Sequence, residues 1–419
     1  MMRRYFGTDG VRGVVGTELT TELVERLGRA AARWSGGGRV FVGRDTRESG
    51  PELEAAFAEG VASAGGNAVL GGVLPTPAVA LLSLDLGAVI SASHNPPQYN
   101  GVKFFDGQGQ KLTDASEEEI EALLDEPPSA ERGAIHRVGI SAVSYLEHVL
   151  ERFGSDLTGL RVAVDCGNGA YSEIAPTAFE RLGAEVLPLG TEPDGTNINV
   201  GCGATDLSLL QSHVGAYDIG VAFDGDGDRM LAVDAGGNAV DGDQILAVLA
   251  LHLKVDVVVV TVMTNLGFHR LMEERGIRVV TTDVGDRYVL EALRRERAIL
   301  GGEQSGHIIC LDGHVTGDGL AAALLLCRAI EGRSLAEAVS VMPTFAQVKE
   351  NVPTSVKDLP QDLREEIERV NEDLDGTARI LVRPSGTEPL VRVLAEAPAE
   401  EEAARLCGTI SALVRRELG

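Results

Sequence analysis

Three times along the chain, a short β-branched run gives way to an amphipathic stretch, a second apolar run and a second amphipathic stretch. A third apolar run then ends in a polar loop. The opening runs are Arg39-Val-Phe-Val, Arg161-Val-Ala-Val and Val257-Val-Val-Val. Helical spacing of apolar positions predicts helices over 51–64, 172–182 and 266–275, and again over 76–84, 206–214 and 286–296. Between them lie predicted strands at 67–70, 184–189 and 277–281. The polar loops are Ser91-Ala-Ser-His-Asn-Pro, Asp224-Gly-Asp-Gly-Asp-Arg and Gly302-Glu-Gln-Ser-Gly-His. After each comes a short apolar run that can return as an antiparallel strand: Val102-Lys-Phe-Phe, Met230-Leu-Ala-Val and His307-Ile-Ile-Cys.

Strands alternating with helices imply βαβ units, because parallel neighbours need a helical crossover. The expected fold is α/β: three similar domains with mixed, mostly parallel sheets, plus a smaller C-terminal α+β domain, around one central cleft. Ligands sit beyond the carboxyl ends of strands in such sheets, and all three polar loops fall there. The expected borders are 1–140, 141–238, 239–342 and 343–419. Residues 117–131, acidic and containing Pro127-Pro128, read as a solvated segment between the first two units. The last unit does not fit the repeat. It reads as a strand, a polar helix over 360–373, strands at 379–382 and 390–395, and a closing helix.

At 419 residues, roughly three domains is the length-based prior. Composition changes the picture through charge: 63 acidic against 37 basic residues leave −26. That argues against nucleic acid or an anionic membrane as partner, both of which need a basic face. A phosphorylated substrate is repelled by the same field, so any phosphate site must be locally rich in Arg or backbone N–H groups. Only five of the basic residues are Lys. The five Cys are scattered without a CxxC spacing, which reads as reduced thiols in a cytoplasmic protein. The first twelve residues lack an apolar signal region, and residues 245–263 read as a helix followed by a strand rather than a membrane span.

The Asp224-Gly-Asp-Gly-Asp-Arg loop carries the strongest chemistry. Magnesium takes hard oxygen ligands at about 2.1 Å in octahedral geometry. Residues two apart on a strand are roughly 6.6 Å apart, so Gly225 and Gly227 are needed to curl Asp224, Asp226 and Asp228 onto one ion. An EF-hand is excluded, since Arg229 and Ala235 replace its required Gly and Glu. Ser93 has no GxSxG frame and so is no hydrolase nucleophile; a serine there can carry a phosphoryl group whose oxygens complete the metal site. Arg383, Ser385, Gly386, Thr387 and Arg392 have the makings of a phosphate cradle, though not of a Walker loop. Glu303, Ser305 and His307 offer a carboxylate, a hydroxyl and an imidazole suited to sugar hydroxyls and proton transfer.

Together these loops, in this order, resemble the α-D-phosphohexomutase superfamily over essentially the whole chain. Phe6-Gly-Thr-Asp-Gly-Val-Arg-Gly13, Thr196-Asn-Ile-Asn199, Val284-Gly-Asp-Arg-Tyr-Val289 and the Gln of the Gly-Glu-Gln-Ser-Gly-His loop look like its phosphoglucosamine mutase branch. Ser91 departs from the Thr that many members show, but keeps the hydroxyl. The resemblance implies a phosphoserine at Ser93, with its phosphate and Asp224, Asp226 and Asp228 holding Mg2+. It also implies sugar contacts from Glu303 and Ser305, and a grip on the non-reacting phosphate by Arg383, Ser385, Gly386, Thr387 and Arg392. Arg12, Lys103, Arg229 and His307 would surround the moving phosphoryl group. An Arg stays protonated, so Arg12 and Arg229 are expected to stabilise charge, with proton transfer left between Lys103 and His307.

The expected reaction interconverts glucosamine 6-phosphate and glucosamine 1-phosphate, with a sugar 1,6-bisphosphate as primer and intermediate. The partner is a small phosphosugar. Oligomeric state is left open, a homodimer included. The alternatives are a phosphomannomutase/phosphoglucomutase acting on neutral hexoses, or a non-catalytic phosphosugar-binding regulator.

Overall fold

The computed structural model describes residues 4–7, 9–139, 141–356, 358–385 and 389–418. The chain divides into two compact units, Met1–Met263 with Ile277–Ser340, and Thr264–Gly276 with Val341–Gly419.

The first unit contains three sheets. One is built from β1 (Val11–Val14), β2 (Arg39–Arg44), β3 (Asn67–Val73), β4 (Leu86–Ile90), β5 (Tyr99–Asp106) and β6 (Ile135–Arg137). The next holds β7 (Arg161–Asp165), β8 (Glu185–Leu189), β9 (Ile219–Phe223), β10 (Met230–Asp234) and β11 (Ala239–Val240). The third holds β12 (Val257–Thr261), β13 (Arg278–Thr282), β14 (Leu300–Gly302) and β15 (Ile308–Cys310). All three share one core order, β3-β2-β4-β5, β8-β7-β9-β10 and β13-β12-β14-β15. The first three strands of each core run parallel and the fourth returns antiparallel. The predicted repeat is therefore a repeat of topology, and each polar loop is the turn between its sheet's last parallel strand and the antiparallel return.

The valine-rich runs form the sheet interiors, as strands covered on both faces require. Every residue of β4 and β9 is buried. Residues 245–263 divide as expected: helix Gly242–Leu253, capped by reciprocal bonds between Asp241 and Gln244, precedes β12. Among the described residues no helix is long and apolar enough to cross a membrane.

One expectation needs correcting. The acidic stretch from Glu117 is not a solvated linker at its start. It forms helix Asp114–Ala122, which buries Glu117 and Ile120, and Arg26 and Arg33 of helix Thr21–Trp34 pair with Asp125 and Glu126 just beyond it. Amphipathic packing wins because Ile120, with Leu124 just beyond the helix, docks in the core while the acids meet basic partners.

The second unit is an antiparallel sheet of β16 (Ala346–Pro353), β17 (Arg379–Pro384) and β18 (Leu390–Ala397), ordered β16-β18-β17. Helices Gln361–Asp373 and Glu400–Leu418 bury Leu363, Ile367, Leu406, Ile410 and Val414 into its core. Helix Leu266–Glu274 belongs to this unit through Asn265, whose side-chain amide exchanges two hydrogen bonds with the Phe345 backbone.

Candidate active site

Ser93 follows β4 and is 2 % exposed. Its backbone sits at φ +52°, the left-handed region that costs a side-chain-bearing residue energy. The loop is held from within by Ser91, whose hydroxyl accepts the Ser93 N–H at 2.9 Å and donates to Asp45 at 2.6 Å. It is held from outside by Asn199, whose side-chain amide donates to the Ser93 carbonyl at 2.9 Å. The Ser93 hydroxyl donates to Asp224 Oδ2 at 2.6 Å.

The Asp loop curls for two separate reasons. Gly227 adopts φ +76° and closes a turn onto the Asp224 carbonyl at 3.0 Å. At Gly225, a Cβ would come within 2.8 Å of both the Ser93 carbonyl oxygen and the Asn199 amide. Glycine there lets the two loops touch. Asp224, Asp226 and Asp228 are all buried, with carboxylate oxygens within 4.8 Å of one another. Thr76 and Lys103 donate to Asp226 Oδ2 at 2.7 and 2.6 Å, and Lys103 reaches Asp228 Oδ2 at 3.2 Å. Among the described residues, Oδ1 of both Asp226 and Asp228 is buried without a hydrogen-bond partner. Burial, with Asp228 and Asp226 alongside, pushes Asp224 up to about 7. Burial acts the same way on Asp228, but Lys103, His307 and Arg229 outweigh it and hold the carboxyl well below its ordinary range.

Burial opposes the charge on Lys103, yet Asp226, Asp9 and Asp228 overcome it, so its pKa is raised and the amine stays protonated. Arg12 lies on β1, pairs with Asp9 and is half-buried. Arg229 donates its backbone N–H to Asp224 Oδ1 at 3.2 Å, with its guanidinium 4.0 Å from Asp228. His307, 3 % exposed, places Nδ1 3.6 Å from Asp228. Ser93, Arg12, Lys103, the three Asp, Arg229 and His307 thus converge from three sheets within the first unit. Glu303 is buried and accepts the Gly285 N–H at 3.0 Å, while Ser305 is exposed.

In the second unit, Arg383 and Arg392 are register partners on β17 and β18, at the base of the loop that the Ser385 N–H closes onto Leu390 at 2.8 Å. Gly386 and Thr387 lie outside the described residues.

Sequence reasoning missed Arg47, Asp45, Asp9, Lys111 and His94. Arg47 is wholly buried and bonds to the carbonyls of the Ser93 loop. His94 Nδ1 is 3.3 Å from the Ser93 hydroxyl, and burial with Arg229 and Arg12 lowers its pKa to about 4, leaving it neutral. The scarcity of Lys was the one sequence signal for Lys111.

Models of the phosphoglucomutase/phosphomannomutase family match in four consecutive pieces. Its alpha/beta/alpha domains I, II and III match residues 3–131, 143–237 and 241–345, and its C-terminal domain matches 345–413. A phosphoglucosamine mutase of Moorella thermoacetica is 48 % identical, with 96 % of this chain and 97 % of that one covered. The crystal structure of a phosphoglucomutase/phosphomannomutase family protein from Burkholderia thailandensis superposes with a TM-score of 0.84 at 26 % identity, covering 98 % of this chain and 96 % of that one. An N-acetylphosphoglucosamine mutase of Aspergillus fumigatus, solved with GlcNAc-6P and magnesium, shares the fold at a TM-score of 0.73 and 18 % identity, covering 100 % of this chain and 96 % of that one.

Proposed function

Because the chain belongs to the phosphoglucomutase/phosphomannomutase family, we propose that it interconverts glucosamine 6-phosphate and glucosamine 1-phosphate. The route runs through phosphorylated Ser93 and glucosamine 1,6-bisphosphate, and the product feeds UDP-N-acetylglucosamine and cell-envelope synthesis. One observation carries the chemistry: the buried Ser93 hydroxyl, at a strained backbone position, lies 2.6 Å from a carboxylate of a three-Asp cluster. The amino-sugar preference rests on the full-length likeness to a phosphoglucosamine mutase.

The donor set fits a hard divalent cation. Three carboxylates crowd together, and two of their buried oxygens have no hydrogen-bond partner among the described residues. Asp224, Asp226, Asp228 and phosphorylated Ser93 would hold Mg2+, which would neutralise charge on the phosphoryl oxygens. The Ser93 oxygen–phosphorus bond breaks as a sugar hydroxyl oxygen bonds to phosphorus; the hydroxyl gives up its proton to a base, and the released Ser93 oxygen takes up one proton to return to a hydroxyl. Lys103, held protonated by Asp226, Asp9 and Asp228, neutralises charge together with Arg12 and Arg229. Proton transfer falls to Lys103 or His307, both of which neighbouring carboxylates hold toward the protonated form. Glu303 and Ser305 bind sugar hydroxyls. Arg383, Ser385, Gly386, Thr387 and Arg392 bind the phosphate that is not transferred. Five unoxidised thiols, all buried, suit a cytoplasmic location.

The deciding experiment compares turnover of glucosamine 6-phosphate, glucose 1-phosphate and mannose 1-phosphate, with magnesium and a bisphosphate primer, beside Ser93→Ala. Preference for the amino sugar, abolished by the substitution, is expected. Preference for a neutral hexose would overturn the substrate and keep the chemistry. No turnover by protein fully phosphorylated at Ser93 would overturn both.

A further inference from the structure

The segment Val284–Val289 marks the branch in sequence, and the reaction as derived gives it no task. In the structure it is a junction between the third sheet and the first. Gly285 takes φ +135°, a conformation open to glycine, and its N–H donates to Glu303 Oε1 at 3.0 Å. Asp286 opens helix Asp286–Glu296, and its carboxylate faces two ways. It pairs with the half-buried Lys111, and it lies 3.5 Å from His307 Nε2, a buried ring nitrogen with no hydrogen-bond partner among the described residues. Lys111 also donates to Asp9 Oδ1 at 2.7 Å, and Oδ2 of Asp9 meets Arg12 and, at 3.4 Å, Lys103. Arg287 completes the junction by pairing with Glu117 at 2.9 Å.

Asp286 therefore closes a ring of alternating acidic and basic side chains. It runs from His307 through Asp286, Lys111 and Asp9 to Lys103, and back through Asp228 to His307. We propose that Asp286 is a positioning residue. Through Lys111 it clasps the third sheet's loop to the first sheet, and so sets Glu303 and His307 against the sugar that Ser93 serves. The inference rests on the mutase reading for the identity of the groups being positioned. Alignment of reacting groups acts on kcat more than on KM, which separates this role from simple substrate binding.

The test compares Asp286→Asn and Asp286→Glu in the full chain phosphorylated at Ser93, on whichever hexose phosphate the parent turns over fastest. Asp286→Asn is expected to lower kcat about 30-fold with KM within about 5-fold, and Asp286→Glu to recover most of the loss. Hydrogen exchange over residues 300–310 should quicken in Asp286→Asn and slow again in Asp286→Glu. Parental kcat in Asp286→Asn, or a loss that Asp286→Glu does not relieve, would overturn the proposal. Unchanged exchange would overturn it even if the parent turned over no sugar, an outcome that would separately sink the mutase reading.

Discussion

Arg47 and Ser93 meet through the backbone: Nη2 of a fully buried guanidinium donates to the Ser93 carbonyl oxygen at 2.9 Å. The same group donates to the carbonyls of Asn95, Pro96 and Tyr99 at 2.8, 2.5 and 2.9 Å, and pairs with Asp45 at 2.9 Å. A planar fork with five N–H donors suits a loop that turns the carbonyls of Ser93, Asn95, Pro96 and Tyr99 toward it. Ser93 in the left-handed region stores strain of order 1–3 kcal/mol, which persists only when surrounding contacts over-determine it. Arg47 is the largest of those contacts, so the aim of the reactive oxygen is set from the end of β2.

Arg47→Lys keeps the charge and removes the fork, leaving buried carbonyls without donors. The expected loss of stability is about 2–4 kcal/mol, from unmet hydrogen bonds and a weakened buried pair. Urea unfolding measures it. Mass spectrometry of Ser93 after incubation with a sugar bisphosphate should show phosphorylation at least about tenfold slower, because the nucleophile is no longer pre-aimed. Parental stability together with parental charging would show that the loop holds itself.

Magnesium should act on folding as well as on turnover. An ion that binds only the folded chain adds about 2.7 kcal/mol at one hundred times its Kd. The melting temperature of the parent should therefore rise with magnesium and fall back with EDTA, and turnover should follow. Asp226→Asn, which removes one of the carboxylates with an orphaned oxygen, should lose the magnesium-dependent rise. An equal rise in that variant would place the cation elsewhere.

How much of this was legible follows from how local each signal is. Asp224, Asp226 and Asp228 sit in one hexapeptide, and Ser93 and Lys103 flank one strand turn, so sequence spacing alone brings them into view. The three-fold repeat was legible because each strand and helix carries its own periodicity. Arg47 and Lys111 were not, and Asp286 stood in a recognised motif without a role, because their meaning lies in partners far along the chain: the Ser93 carbonyl for Arg47, and each other for Lys111 and Asp286. Asn199 belonged to a recognised motif, yet its contact with Ser93 exists only because Gly225 lets two loops from different sheets touch. Strand β6 is too short and exposed to announce itself; its place is fixed by pairing with β3.

Ser91 offers a test of a single hydroxyl. It accepts the Ser93 N–H and donates to Asp45, so alanine leaves one buried donor unmet and removes one partner from a buried carboxylate. Ser91→Ala should cost about 1–3 kcal/mol in urea unfolding. Ser91→Thr, which keeps the hydroxyl, should stay within about 1 kcal/mol if the loop accommodates one methyl. Equal losses in both variants would assign the effect to packing rather than to the hydrogen bonds.

His94 links the site to pH. Burial first, then Arg229 and Arg12, lower its folded pKa to about 4, against 6.5 ordinarily. Between those values the unfolded chain binds a proton that the folded chain refuses, so this residue's contribution is intact above pH 6.5 and is lost as pH falls toward 4. His94→Gln cannot titrate and removes that slope. The melting temperature of the parent minus that of His94→Gln should therefore fall steadily as pH is lowered from 7 to about 4.5. Carboxylates elsewhere titrate in both proteins and cancel in the difference. A difference that stays flat, or grows as pH falls, would mean that His94 is protonated beside Arg229 in the folded chain.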